Sequence, residues 1–409
     1  MAHAILAQAV VAQAVGLPRR PRPQQVRCSE VMAPAVGEKA KSLDDIVNSD
    51  LTATRNEYHF RTPYLVDKLE PLLKDQRDVP MLCLMLNIVE ALAVGVPLIY
   101  GLNLWQPPLP LLTRNVAGLA YVVTNVLLFQ ERFTLMLHFS SHRAIFHNEM
   151  LNGLLVWAFA PFFGVPCGLY KIHHVIMHHI ENNHERDISS TEHYQRDSWM
   201  EFGRYWRRFA VFIYVELPLY AYRTGRYGWV AKMFSGLLIW FGGIYFLASY
   251  VSALATMWVF VVPHVVAMTA MAFGNWSQHI FVNPEDAQSN YGLTYNCIDT
   301  KVNQTTFNDG YHVIHHVNAR LHWTEIPDYF YQTKEKHIAG GALTFRDIHF
   351  FDVGILVMTK QLNKLAKHYV HLGPKESAPS LEQVEEKLRK WLVPVPATAG
   401  DASQVKKSK

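Results

Sequence analysis

Histidine is the residue type that stands out in this sequence of 409 residues, which contains 21 of them. A typical chain of this length carries roughly half that number. Three groups have spacings of three or four residues, which on a helix place side chains on one face with Cβ atoms ~5–6 Å apart. Each group can therefore offer at least two ring nitrogens to one point. The groups are His138 with His142, His174 with His178 and His179, and His312 with His315 and His316.

A fourth pair, Asn275 and His279, has the same spacing of four at the end of an apolar stretch. Imidazole nitrogens bind zinc, copper, iron and nickel. A lone histidine here would more often be an interfacial side chain, but clustered repeats favour ligation. The candidate ligands exceed what one metal ion accepts, so the sequence predicts two metals. The nine candidates are His138, His142, His174, His178, His179, His279, His312, His315 and His316.

Apolar stretches around these groups predict the elements that position them. Residues 79–104 and 111–129 each approach the ~20 residues needed to cross a bilayer, and a short link predicts a transmembrane hairpin. Residues 230–271 are about twice as long and predict a second hairpin that turns near Tyr250. The predicted fold class is therefore all-α: an integral membrane protein with four transmembrane helices in two hairpins, capped on one face by a histidine-rich helical domain.

Two further apolar segments are not expected to cross. Residues 151–169 contain Pro161 and Pro166, which would free backbone groups in lipid, so this segment predicts a re-entrant or interfacial hairpin. Residues 209–222 are short and broken by Pro218, which predicts a segment in the headgroup zone. With this topology, all the histidine groups lie on the same face of the membrane.

Composition supports a membrane protein, because half of the residues are hydrophobic and only 18% are charged, against the usual quarter. The net charge of +4 is small and the cations are dispersed, so nucleic acid is not an expected partner. The four cysteines show no disulfide framework. Glu90 lies inside the first apolar stretch and should face the bundle or a cavity, or else lie near the interface if the span begins elsewhere.

The three boxes, HxxxH, HxxxHH and HxxHH, in this order among four spans, resemble the membrane fatty acid desaturase and hydroxylase superfamily. The likeness covers about residues 80–335 and includes Asp187, residues 189–197 and residues 308–311. It implies a non-haem centre of two iron ions that uses O₂ and two external electrons to introduce a C=C bond into an acyl chain. The nine histidines are then its expected ligands, and the protein fixes their geometry.

The resemblance also implies supporting groups around the irons. Neutral imidazoles leave the metal charge uncompensated, so Glu181, Asp187 and Asp309 are candidates to orient ligands, with solvated loop charges or helix caps as the alternative. Asn275 and His279 match an element of the acyl-CoA desaturase branch. His279 is the expected direct ligand, and Asn275 is expected to act through a water or by orienting a ligand. The alternative is an Asn cap beside an interfacial histidine.

Among the histidines outside the predicted ligand set, six lie near the boxes or apolar stretches but are isolated or break the spacing. Of these, His173 is the least secure exclusion, since a shifted second box would use it. The six are His147, His173, His184, His193, His264 and His322.

The sequence is also compatible with other reactions of the same metal centre and with a different class of protein. The same centre could act as a hydroxylase or ketolase on an alkyl or carotenoid substrate. A histidine-rich metal transporter is a remote alternative, whose ligands should lie within the spans. No His-Pro-Gly-Gly element of a fused cytochrome b5 domain occurs in the sequence. Electrons are therefore expected from a separate partner, ferredoxin in a plastid or cytochrome b5 in the endoplasmic reticulum.

The two ends of the chain suggest conflicting destinations. Residues 1–29 lack acidic residues and carry four arginines, which predicts a transit peptide and a chloroplast membrane, with a disordered basic tail as the alternative. The final residues, 406–409, resemble an endoplasmic reticulum retrieval signal.

The segments between the two ends complete the predicted organisation. They are a polar lead-in over 30–78, the catalytic domain over 79–335, a C-terminal helical region over 336–396 and a disordered basic tail over 397–409. Within the helical region, Ser380 and Gln383 predict a capping box that opens a helix with Leu381, Val384 and Leu388 on one face.

Overall fold

The computed structural model describes residue 50 and residues 63–395. The predicted transit peptide and the basic tail lie outside the described residues. Within the described part, three helices are long and apolar enough to cross a membrane. After a short first helix, α1 (Pro63–Leu69), they are α2 (Gln76–Leu104), α3 (Leu111–His142) and, further along the chain, α7 (Tyr227–Gln278).

Helices α2 and α3 run side by side in opposite directions. A Cβ added at Gly95 of α2 would lie 3.0 Å from the Tyr121 ring of α3, so glycine permits the close approach. Ile99 packs in the same cluster as Tyr121 and Val122. The start of α2 is buried in the cap from Pro80 to Met85, whereas Glu90 is exposed. The expectation that Glu90 faces the bundle or a cavity is therefore wrong. The first turns of α2 are buried in the cap, and Glu90 lies in the later, exposed part of the helix.

Helix α7, 52 residues long, doubles back on itself at Ser252. Ser252 has extended backbone angles, φ −161° and ψ 113°, and its side chain accepts a hydrogen bond from Ala255 N. The rings of Trp240 and His264 lie 5.5 Å apart. A continuous helix would separate these residues by about 36 Å. The reversal lies two residues from the turn that the sequence predicts.

The apolar segment 151–169 ends its helix well before a bilayer would be crossed. Helix α4 (Glu149–Phe163) stops at Gly164, which has a left-handed φ of +74°. A Cβ on Gly164 would lie 2.3 Å from the Pro263 carbonyl oxygen, so both the backbone angle and the packing against α7 require glycine. The interruption that the sequence predicts in this segment is confirmed.

The remaining elements form the cap around the histidines. They are α5 (169–181), α6 (199–223), β1 (Tyr295–Ile298), α8 (His312–Val317), α9 (Ile326–Gln332), α10 (Lys334–Ala339), β2 (Leu343–Arg346), α11 (Phe350–Met358), α12 (Leu362–Leu365) and α13 (Leu381–Lys390). Strands β1 and β2 pair in parallel, with Tyr295 opposite Leu343. The cap is thus mostly helical with a small buried sheet, which the all-helical prediction missed because each strand has only four residues.

Helix α13 begins with the predicted capping box between Ser380 and Gln383. Val384 and Leu388 are buried, whereas Leu381, which lies on the same face, is 52% exposed. Helix α13 packs against α12 and against the short turn that follows α12.

Arg196 connects the end of the chain to the cap. Its side chain is fully buried, and its guanidinium donates hydrogen bonds to the carbonyl oxygens of Thr191, Ile280 and Trp391, among others. These acceptors belong to the loop after the second histidine box, to the segment after α7 and to the residue that follows α13. A single side chain therefore joins three distant parts of the sequence beside the histidines.

Candidate metal centre

The structure brings all nine predicted histidines together where four elements meet. His138 and His142 lie at the end of α3, and His279 follows the last residue of α7. Helix α5 carries the second box and helix α8 carries the third. The rings form two adjacent groups, which we call the first group and the second group. The first group is His138, His142, His174, His179 and His315, and the second is His178, His279, His312 and His316.

The first group is held together by contacts between its own rings. One ligand atom from each of His138, His142, His174 and His315 lies within 4.8 Å of the others. The His315 Nε2 atom is 2.7 Å from His138 Nε2 and 2.8 Å from His179 Nε2. A neutral imidazole has only one N–H, so a cation placed among these nitrogens would be bound by their lone pairs.

The second group is fixed by hydrogen bonds to the surrounding protein. Ligand atoms of His178, His279 and His316 lie within 4.8 Å of one another, and the His312 ring centroid is 4.9 Å from that of His316. The Nδ1 atom of His279 lies 3.0 Å from the Leu293 carbonyl oxygen, which can only accept, so Nδ1 carries the proton. His316 Nδ1 similarly faces an amide oxygen at 3.0 Å. The opposite nitrogen, Nε2, is left with its lone pair.

The local helix type explains how α5 contributes to both groups. Residues Ile172–His178 form a π-helical turn, in which hydrogen bonds span five residues instead of four. His174 and His179 are five residues apart, and their Nε2 atoms approach to 3.2 Å. In a regular α-helix they would point in different directions. The spacing rule used on the sequence therefore pairs His174 with His178, whereas the structure places His178 in the second group.

The donor set fits two metal ions. The Nε2 atoms of His142, His279, His312 and His316 are buried and have no hydrogen-bond partner. Burial lowers the pKa of His279 to about 3 and, together with neighbouring rings, holds the pKa of His174 and His315 well below the ordinary value. Neutral rings with free lone pairs are the form that binds metals. Five donors in one group and four in the other match two ions better than one.

Comparison with known proteins identifies the family. A model of the fatty acid desaturase family matches residues 115–343, more than half of the chain, and this range contains all nine histidines. The chain belongs to the fatty acid desaturase family. Comparisons with curated proteins and with solved structures gave no match. The resemblance seen in the three boxes is confirmed.

In this desaturase-family protein, Asp187 orients a ring of the second group. Its Oδ2 atom accepts a hydrogen bond of 2.6 Å from His178 Nδ1, and its Oδ1 atom accepts from the backbone and side chain of Ser189. Burial raises the pKa of Asp187, but the His178 ring and the hydrogen bonds outweigh burial and lower it to about 2. Asp187 is therefore a carboxylate that holds His178 in one tautomer.

Asp309 lies beside the first group but in a different state. Its Oδ1 atom is buried, 3.9 Å from His138 Nδ1, and its Oδ2 atom accepts a hydrogen bond from Gln278. Burial, with a smaller contribution from Glu131, raises the pKa of Asp309 to about 8. Without a bound cation the acid is therefore largely protonated at neutral pH. Glu181, a further candidate from the sequence, accepts a hydrogen bond from Tyr220.

Asn275 supports the loop that carries Asp187. Its Nδ2 atom donates hydrogen bonds to the Ser189 carbonyl oxygen at 2.9 Å and to the Tyr205 hydroxyl oxygen at 2.8 Å. Ser189 in turn donates to Asp187. Asn275 also lines the cavity described below. This chain of contacts connects α7 to His178.

The six histidines that the sequence analysis names as non-ligands lie outside both groups. His173 is nearest, with its ring centroid 6.4 Å from that of His178, and it lines the cavity. His264 donates from Nδ1 to the Gly164 carbonyl oxygen. The others are exposed or paired with acids: His147 and His193 are exposed, His184 contacts Glu192, and His322 contacts Asp78.

An apolar cavity of about 240 Å³ leads to the histidines. Its walls come from α3, α5, α6, α7, α8 and α11. His138, His174, His178 and His312 line it, together with apolar side chains that include Leu135 and Met268. Glu131 also lines it, and sequence reasoning missed this residue. The spacing could have indicated it, because Glu131 lies seven residues before His138 and therefore on the same face of the helix.

Proposed function

We propose that this member of the fatty acid desaturase family is a membrane-bound lipid desaturase that introduces a C=C bond into an acyl chain. The observation that carries this proposal is the position of two histidine groups against one apolar cavity. In the net reaction, two adjacent CH₂ groups each lose one hydrogen. O₂ takes up these two hydrogens, two external electrons and two protons and leaves as two molecules of water.

The two groups would hold two iron ions, which when bound supply the reactivity toward O₂ that side chains lack. His138, His142, His174, His179 and His315 would bind one ion, and His178, His279, His312 and His316 the other. The transporter alternative requires ligands along a path within the spans. Here the two groups share one buried site next to a cavity, which suits a substrate.

The chain's own residues position and enclose the reacting carbons. Leu135, Phe209 and Met268 supply apolar walls that exclude water and accept hydrocarbon. Asp187 keeps the Nδ1 proton on His178, so that its Nε2 lone pair is available. Asn275 supports this arrangement through Ser189.

The proposed topology has four crossings, with α2 and α3 as one hairpin and the two halves of α7 as the other. The reversal at Ser252 supports this arrangement, since both halves of α7 then return to the same side. The histidine groups and both termini would lie on the stromal or cytosolic face. We propose a plastid membrane with ferredoxin as the electron donor, or the endoplasmic reticulum membrane with cytochrome b5 as the alternative.

The test combines metal analysis with product analysis. The purified full chain should contain two irons, and with reductant and O₂ it should convert a saturated acyl lipid into a product lacking two hydrogens. Mass spectrometry distinguishes this from a product that gains oxygen. One iron or none in an active preparation, or an oxygenated product alone, would overturn the proposal.

A further inference from the structure

Glu131 is an acidic residue in the wall of the apolar cavity that the proposed reaction does not use. Before it on α3, Leu127 is 66% exposed, as expected for a side chain facing hydrocarbon. After it, Phe133 and Leu135 are buried in the cap. Glu131 therefore lies where the helix passes from the lipid-facing part to the cap, and its side chain keeps 42% exposure.

The spacing along α3 relates Glu131 to the histidines. Residues Glu131–His142 are regular α-helix, so Glu131 lies about 10 Å along the helix from His138. Both residues line the same cavity. A chain whose reacting carbons lie beside His138 would therefore pass Glu131 on its way toward the bilayer surface.

The surroundings of Glu131 leave its carboxylate without a hydrogen-bond donor. His349, which precedes α11, is the nearest partner, with Nδ1 3.8 Å from Glu131 Oε1. The exposed Asp352 adds a second negative charge nearby, and Arg132 is the neighbouring cation. Among the described residues, no side chain or backbone N–H donates to Glu131. Because the side chain keeps 42% exposure, its carboxylate oxygens remain accessible to a donor from a bound molecule.

The charges around this position also discriminate between possible acyl carriers. Glu131 and Asp352 would repel the phosphates of an acyl-CoA and the acidic surface of an acyl carrier protein. A neutral or cationic head group would not be repelled. In the proposed topology α3 begins its crossing near Leu111, and a helix rises by about 30 Å between Leu111 and Glu131, the thickness of the hydrocarbon core, so Glu131 would lie near the lipid head groups.

We propose that Glu131 accepts a hydrogen bond from a hydroxyl or ammonium group in the head group of a membrane lipid whose acyl chain fills the cavity. This inference rests on the proposed function, and it assigns the acyl carrier: a membrane lipid instead of a soluble thioester. Glu131 is then a specificity residue that selects lipids carrying a donor.

Lipid retention by the iron-loaded full chain tests this site directly. The chain in detergent is mixed with a glycosyl diacylglycerol, a phosphatidylethanolamine and a phosphatidylcholine that share the same acyl chains. Native mass spectrometry then measures which lipid stays bound. Phosphatidylcholine has no O–H or N–H donor. We expect a roughly three- to tenfold preference for at least one donor-bearing lipid, the effect of one hydrogen bond.

Two variants separate the possible donors. Glu131→Leu should remove the preference altogether. Glu131→Gln keeps an acceptor oxygen but loses the charge, so it should retain a preference for the glycosyl lipid and lose one for the ethanolamine lipid. Glu90→Gln is the matched control, because Glu90 is an exposed acid on α2 outside the cavity. It should keep the preference of the unaltered chain.

The outcomes separate this site from the proposed reaction. Equal retention of all three lipids by the unaltered chain, or a preference that survives Glu131→Leu, would overturn the head-group site. Retention requires no turnover. A chain that shows the expected lipid preference but forms no double bond would refute the desaturase proposal while supporting the assignment of Glu131. A chain that forms a double bond but shows no lipid preference would support the desaturase proposal and refute the assignment of Glu131.

Discussion

The two histidine groups are built from the same residue type but are held in different ways. In the second group, His178, His279 and His316 each direct Nδ1 at an acceptor in the protein. In the first group, the only hydrogen-bonding contacts among the described residues are between its own rings. The protein therefore fixes the second group in advance, whereas the rings of the first group would need a bound ion to hold them in place.

The first group is also more exposed to solvent than the second. His142 and His179 of the first group are partly exposed, whereas His178 and His279 of the second are only 2% and 0% exposed. The difference suggests that metal enters and leaves through the first group, while the second group forms the rigid part of the centre. Four predictions test this contrast, beginning with the largest expected effect.

Replacing His279 should have the largest effect, because it removes a ligand from the rigid group. His279→Ala should abolish product formation and lower the iron content, measured by lipid mass spectrometry and metal analysis. His147→Ala is the control, since His147 is exposed and outside both groups, and it should change neither. A His279→Ala enzyme that is active with two irons would remove His279 from the centre.

Replacing the acid beside each group should lower the iron affinity by unequal amounts. Asp187→Asn removes the carboxylate that orients His178, and iron affinity should fall by about 10- to 100-fold. Asp309→Asn should cost less, because Asp309 makes no hydrogen bond to a ring of either group and its Oδ1 atom lies 3.9 Å from His138 Nδ1. Competition with a chelator measures the iron affinity of both variants. Equal losses would show that the hydrogen bond from His178 to Asp187 is not what distinguishes the two acids.

Removing the iron should loosen the first group more than the second. Diethylpyrocarbonate modifies accessible neutral histidines, and peptide mass spectrometry gives the rate at each ring. We expect His142 and His179 to react several-fold faster after chelation, while His178 and His279 stay protected. His147, which is exposed, should react equally in both forms. A uniform rise across both groups would show that neither is fixed in advance.

Replacing Asn275 should have the smallest effect. Asn275→Ala removes the hydrogen bonds to Ser189 and Tyr205, which lie two contacts away from the His178 ring. Turnover should fall by a factor of a few, the size of a lost hydrogen bond, with the iron content unchanged. Steady-state rates and metal analysis of the same preparation test this. Loss of iron would instead make Asn275 part of the binding set.

The sequence predicted the convergence of the nine histidines because the residues of each box are close in sequence and their spacing places them on one face of one helix. It also placed the limits of α2 and the reversal of α7 closely, since apolar length and turn residues mark both. The division into two groups was not predictable, because it depends on the π-helical turn at Ile172–His178, which brings His174 toward His179. Propensity rules assume a regular helix.

Contacts between segments that are distant in the sequence also could not be predicted. Nothing local in the sequence brings Phe350 and Phe351 of α11 to the cavity wall beside Glu131, because that position depends on how α11 packs on α7.

The hydrogen bonds of Arg196 have a consequence for the order of events during synthesis. The acceptors on Trp391 and Val393 lie 195 and 197 residues after Arg196, so the Arg196 guanidinium cannot find all of its partners until that part of the chain has been synthesised. Two of its other partners, Thr191 and Ile280, flank the segments that bear His178, His179 and His279. We therefore expect the loops beside these histidines to become ordered only after residue 393 has been made.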